Sequence, residues 1–172
     1  MNMPDAVQSA INAQIKNELQ AHYNYLGMSA HFETTPYRGF ATWMRIQSTE
    51  EYGHAMKLYE YLVERDAGVE LSAIDAPQIK FGPRPIDVFQ ASLSNEQEVT
   101  VQINNLYDLA QREKDFTTLQ FLTWFLQEQV EEEHSVLLMV ERLELAGDNA
   151  AGLLRLDDEA ARRAIAPGGG RK

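Results

Sequence analysis

Cysteine is absent from the 172-residue sequence. That excludes disulfides, iron–sulfur clusters and thiolate-bound metals, and leaves oxygen and imidazole as the only metal ligands. It also fits a cytoplasmic location. Long apolar runs are lacking too: no stretch approaches the roughly 18 residues that a membrane span requires. The opening residues MNMPDAVQSAIN show no basic region leading into an apolar core, so no signal peptide is expected. Basic residues are scarce, with 15 Lys and Arg against 26 Asp and Glu, and the formal net charge is −11. A phosphate backbone needs a basic surface, which argues against nucleic acid as the main partner. The surplus acid either attracts cations or serves only solubility, and composition does not choose between them. What is present is enough apolar material, 44% of the chain, to build the core of one ordinary domain.

Four long helical stretches and a short fifth can be read from the punctuation. The first runs from Asp5 to Glu33, the second from Tyr37 to Asp66, the third from Ile86 to Lys114 and the fourth from Thr117 to Ala146. Pro36 and Gly39 mark the first turn, Gly68 follows the second stretch, Pro83 and Pro85 precede the third, and Gly147 occupies a C-terminal cap position. The short first and third links predict two antiparallel hairpins. The link from Gly68 to Pro85 is long, contains Pro77, and scatters Val69, Leu71, Ile74, Ile79 and Phe81 along its length. A crossover lying along the bundle would explain it and would make the second and third helices parallel. Asn149–Ile165 is expected to form a fifth helix, with Leu153, Leu154, Leu156 and Ile165 as its apolar residues. The expected organisation is an all-α four-helix bundle domain over residues 1–166, with a disordered tail over 167–172.

Each helix must send one stripe of residues inward. In the first stretch Ile11, Ile15, Tyr25 and Phe32 continue through Glu18 and His22. In the second, Phe40, Met44, Leu58 and Tyr61 are interrupted by Gln47, Glu51 and His54. In the third, Phe89, Leu93, Ile103, Tyr107 and Ala110 continue through Glu96 and Thr100. In the fourth, Leu122, Phe125, Val136, Met139 and Leu143 continue through Gln129 and Glu132. Glu18, Glu51, His54, Glu96, Gln129 and Glu132 all lie near their helix midpoints, and in an antiparallel bundle the midpoints share one layer. Buried carboxylates gathered at one height repel each other and lose water, so protons or a divalent cation must neutralise them. Oxygen ligands with one imidazole suit Fe, Mn or Zn better than Ca. Glu51-Tyr52-Gly53-His54 is a Glu-x-x-His pair on one helix face, and with a Glu from a neighbouring helix it describes half of a di-iron carboxylate site.

Glu131 and His134 form a second Glu-x-x-His. Its register runs through Gln120, Trp124, Gln127, Leu138 and Glu141, which is mostly polar and therefore faces outward or flanks the core. Gln129 and Glu132 take the inward positions, and His134 is not expected to be a ligand. His22 either hydrogen-bonds a ligand carboxylate or packs in the core. Glu98 is expected to be solvated or to face another subunit.

These segments resemble the ferritin family, in particular its bacterial non-haem members. The resemblance runs from NELQAHYNYL through STEEYGHAMKLYEYL and NEQEVTVQINNLYDLA to FLTWFLQEQVEEEH and LLRLDDE. It implies that Glu18, Glu51 and His54 bind a first iron, and that Glu51, Glu96 and Glu132 bind a second with Gln129 close by. It further implies a third iron position at Glu50, Glu128, Glu131 and Glu132. Tyr25 matches the family's tyrosine beside the iron pair, although a core aromatic fits the same spacing. Bacterioferritins carry a haem-ligating Met where this chain has Tyr52, so haem is not expected. The implied activity is ferroxidase: Fe(II) is oxidised by O2 or H2O2 and deposited as ferric mineral inside a shell of 24 identical subunits. Spacing alone supports only self-association, through Trp43, Ile46, Tyr59 and Leu62 on the second stretch and Leu19, Tyr23 and Leu26 on the first. A rubrerythrin-like oxidoreductase is the first alternative, weakened by the missing cysteines. A non-catalytic bundle with protonated or Arg-paired glutamates is the second.

Overall fold

The computed structural model describes residues 3–163. The predicted tail and Ile165 of the fifth helix lie outside them. Five helices follow one another: α1 Asp5–Phe32, α2 Arg38–Glu64, α3 Pro85–Arg112, α4 Phe116–Ala146 and α5 Ala150–Arg163. Their ends have local causes. Pro85 occupies the first turn of α3, where a missing N–H costs nothing, and the Asp87 carboxylate accepts the Arg84 N–H. Asp115 caps α4 by accepting the Thr118 N–H at 3.2 Å. Gly147 ends α4 with φ +52°, a conformation that costs glycine little.

α1 packs on α2, α3 on α4, and α1 also meets α3. α2 and α4 touch through larger side chains, including Tyr61 stacked on Phe121 at 3.8 Å. The crossover over residues 65–84 has no regular structure and is fastened along α1. Asn12 binds the Gly68 carbonyl and the Glu70 N–H, and Gln20 binds both backbone groups of Asp75. Further along, the chain crosses so close to Gly27 that a Cβ there would lie 2.6 Å from the Gln78 carbonyl oxygen. The crossover thus returns the length of the bundle. Phe32, Phe40 and Phe89 meet at one end, with the starts of α2 and α3 side by side and these two helices parallel. No helix among the described residues is long and apolar enough to cross a membrane.

The apolar core is split in two. One half holds Met28, Phe32, Phe40, Met44, Phe89 and Val136; the other holds Ile11, Ile15, Leu58, Ile103, Leu122 and Phe125. Between them lies the polar layer described below. The expected stripes of α1, α2 and α4 are buried apart from His22, but α3 is rotated slightly from the predicted register. Val88, Ser92, Val99 and Leu106 are buried, while Leu93, Thr100 and Tyr107 sit at the flank. A seven-residue step drifts about 20° per repeat on a straight helix, so either neighbouring register fits the pattern.

Two of the apolar residues expected to serve self-association belong instead to the chain's own core: Trp43 is buried against Phe89, and Leu62 in the core half of Leu58 and Ile103. The exposed apolar residues on this side are Tyr23, Leu26, Tyr52 and Val63. α5 buries Leu153 and Leu156 but leaves Leu154 exposed. It is docked on the first turn of α2, where the Asp157 carboxylate accepts the Phe40 N–H at 2.7 Å. Gly39 permits this approach, since a Cβ there would fall 1.8 Å from the Asp157 carbonyl oxygen. Gly39→Ala should therefore push α5 off α2, costing about 1–3 kcal/mol through the lost cap and packing. Faster amide exchange confined to residues 150–163 and the start of α2 would show it; unchanged protection there would refute it.

Candidate metal centre

Glu18 from α1, Gln47, Glu51 and His54 from α2, Glu96 from α3, and Gln129 and Glu132 from α4 meet in the layer between the two core halves. None is more than 6% exposed. The six inward polar residues expected at the helix midpoints are thus all buried in one layer. His54 Nδ1 lies 3.2 Å from Glu51 Oε2 and 3.8 Å from Glu18 Oε2. Ligand atoms of Glu18, Glu51 and His54 fall within 4.8 Å of one another, and so do those of His54, Glu128 and Glu132. The imidazole is shared by the two groups. Its ring packs edge-on against Trp124 and Phe125, which form an apolar wall.

The electrostatics are those of an anion cluster deprived of water. Burial, and then the Glu51 charge, pushes the Glu18 carboxyl well above the usual carboxylate range. Burial, and then Glu96, does the same to Glu51. Glu96 rises to about 7, chiefly by burial, with hydrogen bonds from Tyr25 and Gln129 pulling it back. Buried oxygens usually find a partner, yet Glu18 Oε2, Glu51 Oε1 and Gln47 Oε1 have no donor, and Glu18 and Glu51 face each other's carboxyl. The oxygens of Glu18 and Glu51 left open in this way belong to the residues that group around His54. A divalent cation satisfies such atoms and removes the repulsion together.

Tyr25 donates a short hydrogen bond to Glu96 Oε1 and sits 2.9 Å from Ser92 Oγ, with burial holding its phenol well above its ordinary range. It is both the core aromatic and the neighbour of the carboxylates, so the two readings of its spacing coincide. His22 takes neither expected role: its Nδ1 meets the Ser48 carbonyl and hydroxyl, tying α1 to α2 at the edge of the layer. His134 is exposed and joins neither group, and Glu98 is exposed with Gln102 donating to it. Of the residues assigned to a third iron, Glu128 and Glu132 come together with His54. Glu50 is half-buried and Glu131 exposed, and neither falls in a compact group, although both are felt electrostatically, by Glu51 and Glu128 respectively.

Gln14, not expected at the site, and Gln47, expected only as an inward residue of its helix, each hold a carboxylate. Gln14 Nε2 donates to Glu18 Oε1 at 2.8 Å, and Gln47 Nε2 donates to Glu132 Oε2 at 2.7 Å. With Gln129 beside Glu96, three glutamines each hold one carboxylate. The signal was available, since Gln14 and Gln47 each stand one turn before a buried glutamate on the same helix face.

Comparison with known proteins places the site in context. A family model described as the ferritin-like domain of ferritin matches residues 8–146. A bacterial non-haem ferritin of Staphylococcus aureus (strain USA300) is 39% identical over 150 residues, covering 87% of this chain and 90% of that protein. One from Staphylococcus haemolyticus is 36% identical over 156 residues, covering 91% and 93%. Among solved structures, an open-pore ferritin from the archaeon Archaeoglobus fulgidus superposes with a TM-score of 0.91 at 39% identity, covering 93% of this chain and 98% of that one.

Proposed function

Because this chain belongs to the bacterial non-haem ferritin family, we propose that its buried carboxylate layer is the ferroxidase centre and that its residues divide between two iron positions. The protein is an iron-storage ferritin subunit with ferroxidase chemistry. Glu18, Glu51 and His54 hold one Fe(II), and Glu51, Glu96 and Glu132 the other, with Gln129 beside them. Glu50, Glu128, Glu131 and Glu132 form a third, more open position. The observation that carries this reading is the set of open carboxylate oxygens on Glu18 and Glu51, buried around one imidazole.

Iron is the substrate. Two Fe(II) give up one electron each, and O2 with two protons leaves as H2O2, or H2O2 with two protons leaves as water. Carboxylates stabilise the extra charge of Fe(III) and can change binding mode, so they also let the product go. Tyr25 and Gln129 each donate to one oxygen of Glu96, which orients that carboxylate. The aromatic wall of Trp124 and Phe125 keeps bulk water from His54. Residues 1–166 act as one cytoplasmic domain, and 24 copies close a shell through the exposed face of Tyr23, Leu26, Tyr52 and Val63 and through α5.

Crystals soaked aerobically with Fe(II) should show anomalous peaks between Glu18, Glu51 and His54 and between Glu51, Glu96 and Glu132, with a weaker one by Glu128. An empty map around Glu51 would sink the assignment. A solution mass near the 19.5 kDa of one chain would sink the shell.

A further inference from the structure

Thr100 does not make the local bond that three other helical threonines of this protein make. Thr42, Thr49 and Thr123 each donate back to the carbonyl four residues earlier, the usual local bond of a threonine inside a helix. Thr100, on α3, instead donates across to Glu133 Oε1 on α4. Its lone pairs are then left for Gln129, whose Nε2 donates to Thr100 Oγ1 at 3.3 Å. The same Nε2 donates to the Glu96 carbonyl at 3.3 Å and to Glu96 Oε2 at 3.4 Å. A continuous line therefore runs from Glu133 through Thr100 and Gln129 to the buried Glu96. Its outer end lines a groove of about 530 Å³ between α3 and α4, together with Asn104, Val130 and Leu137. Glu133 is half-buried there, and among the described residues it makes no ion pair.

We propose that Glu133 and Thr100 are positioning residues for the iron position served by Glu96, an inference that rests on the ferroxidase reading above. A carboxamide has a donating end and an accepting end, and only the donating end suits Glu96. A hydroxyl has one proton. Glu133 takes the Thr100 proton, so Thr100 can offer Gln129 only an acceptor, and Gln129 must answer with its NH2. Without Glu133 the hydroxyl is free to turn and donate, and the reversed amide gains a partner. The reversed amide would aim its oxygen at the Glu96 carboxylate. The acceptor at the groove thereby reinforces the orientation that the Glu96 carbonyl and carboxylate favour in this amide, although neither Glu133 nor Thr100 reaches the metal.

Co(II), which binds such oxygen and nitrogen sites without being oxidised by air, provides the test. The assembled metal-free protein is titrated with Co(II) and followed by calorimetry and by the visible Co(II) bands. The wild type should fill two strong positions per chain. Glu133→Ala and Thr100→Val should each weaken one of them about tenfold, the lower end for a hydrogen-bond partner of a ligand, and leave the other unchanged. Because both act on one line, the double variant should lose no more than either single variant. Thr100→Ser keeps the hydroxyl, and should bind as the wild type does. Thermal unfolding of the metal-free variants checks that each is folded. Unchanged binding in both single variants would overturn the proposal, as would losses that multiply in the double variant or a serine variant as weak as the valine one. A wild type that binds no Co(II) would overturn the iron-site assignment with it.

Discussion

Glu51→Ala is expected to slow rapid aerobic Fe(II) oxidation by about a hundredfold or more, at least the upper end of what losing a mere hydrogen-bond partner of a ligand costs. Glu51 is central because its carboxylate lies 3.2 Å from the single imidazole and its charge is felt against Glu96, Glu132 and Glu50. It is the one residue assigned to both iron positions. A second consequence has the opposite sign. Glu51→Gln, which keeps the volume and so leaves no cavity, should make the metal-free protein more stable by about 1–3 kcal/mol, as is common when a repelling buried charge is removed from an active site. Among the described residues no Lys or Arg lies within ion-pair distance of Glu18 or Glu51, and the one imidazole there is that of His54. A purely structural bundle would answer these glutamates with arginine, and its Glu→Gln variant would lose stability. Stopped-flow absorbance of ferric product, run beside denaturant melts, gives both readings. An alanine variant oxidising at half the wild-type rate, or a glutamine variant less stable than wild type, would defeat the catalytic assignment.

The sequence carried most of this because four helices of similar length force their midpoints into one layer. Glu18, Glu51, His54, Glu96, Gln129 and Glu132 could be found from periodicity and height alone. The choice of Gln129 and Glu132 over Glu131 and His134 rested on which register was apolar, and the exposed His134 agrees with it. What stayed hidden was determined by contacts between helices. Gln14 stands one turn before Glu18 but outside the stripe of Ile11, Ile15 and Glu18, and its second partner, Gln102, comes only with α3. His22 had the spacing of a core residue, but its imidazole meets Ser48 of α2 at the edge of the layer. Trp43 and Leu62 looked like surface for a second subunit because their burial depends on Phe89 and on the core half of Leu58 and Ile103 packed around α2.

Metal-free protein should lose stability as pH rises from about 4.5 to about 7, and a divalent cation should reverse the trend. The sign follows from where the protons sit. Glu96 in the folded chain releases its proton near 7, whereas an unfolded glutamate releases it near 4.5. Between those values the folded state binds more protons, so raising the pH favours unfolding. By linkage Glu96 alone removes about 3 kcal/mol across that window, once and in full above it. Glu18 and Glu51 are shifted in the same direction for the same cause and carry the loss to higher pH. The three carboxyls titrate as a group, so the observed steps belong to the cluster rather than to one residue. Metal ions compete for the same deprotonated oxygens, and their binding strengthens as the protons leave. Zn(II) at a thousand times its dissociation constant adds about 4 kcal/mol. It should therefore raise the melting temperature far more at about pH 7.5 than at about pH 5, where protons already neutralise the cluster. Melting curves with and without Zn(II) at both pH values, for wild type and Glu96→Gln, separate this cluster from all other titrating groups. The glutamine variant should show a flatter decline. A metal-free wild type that melts higher at the upper pH, by more than Glu96→Gln does, would mean that these carboxylates are already neutralised by something other than protons or metal.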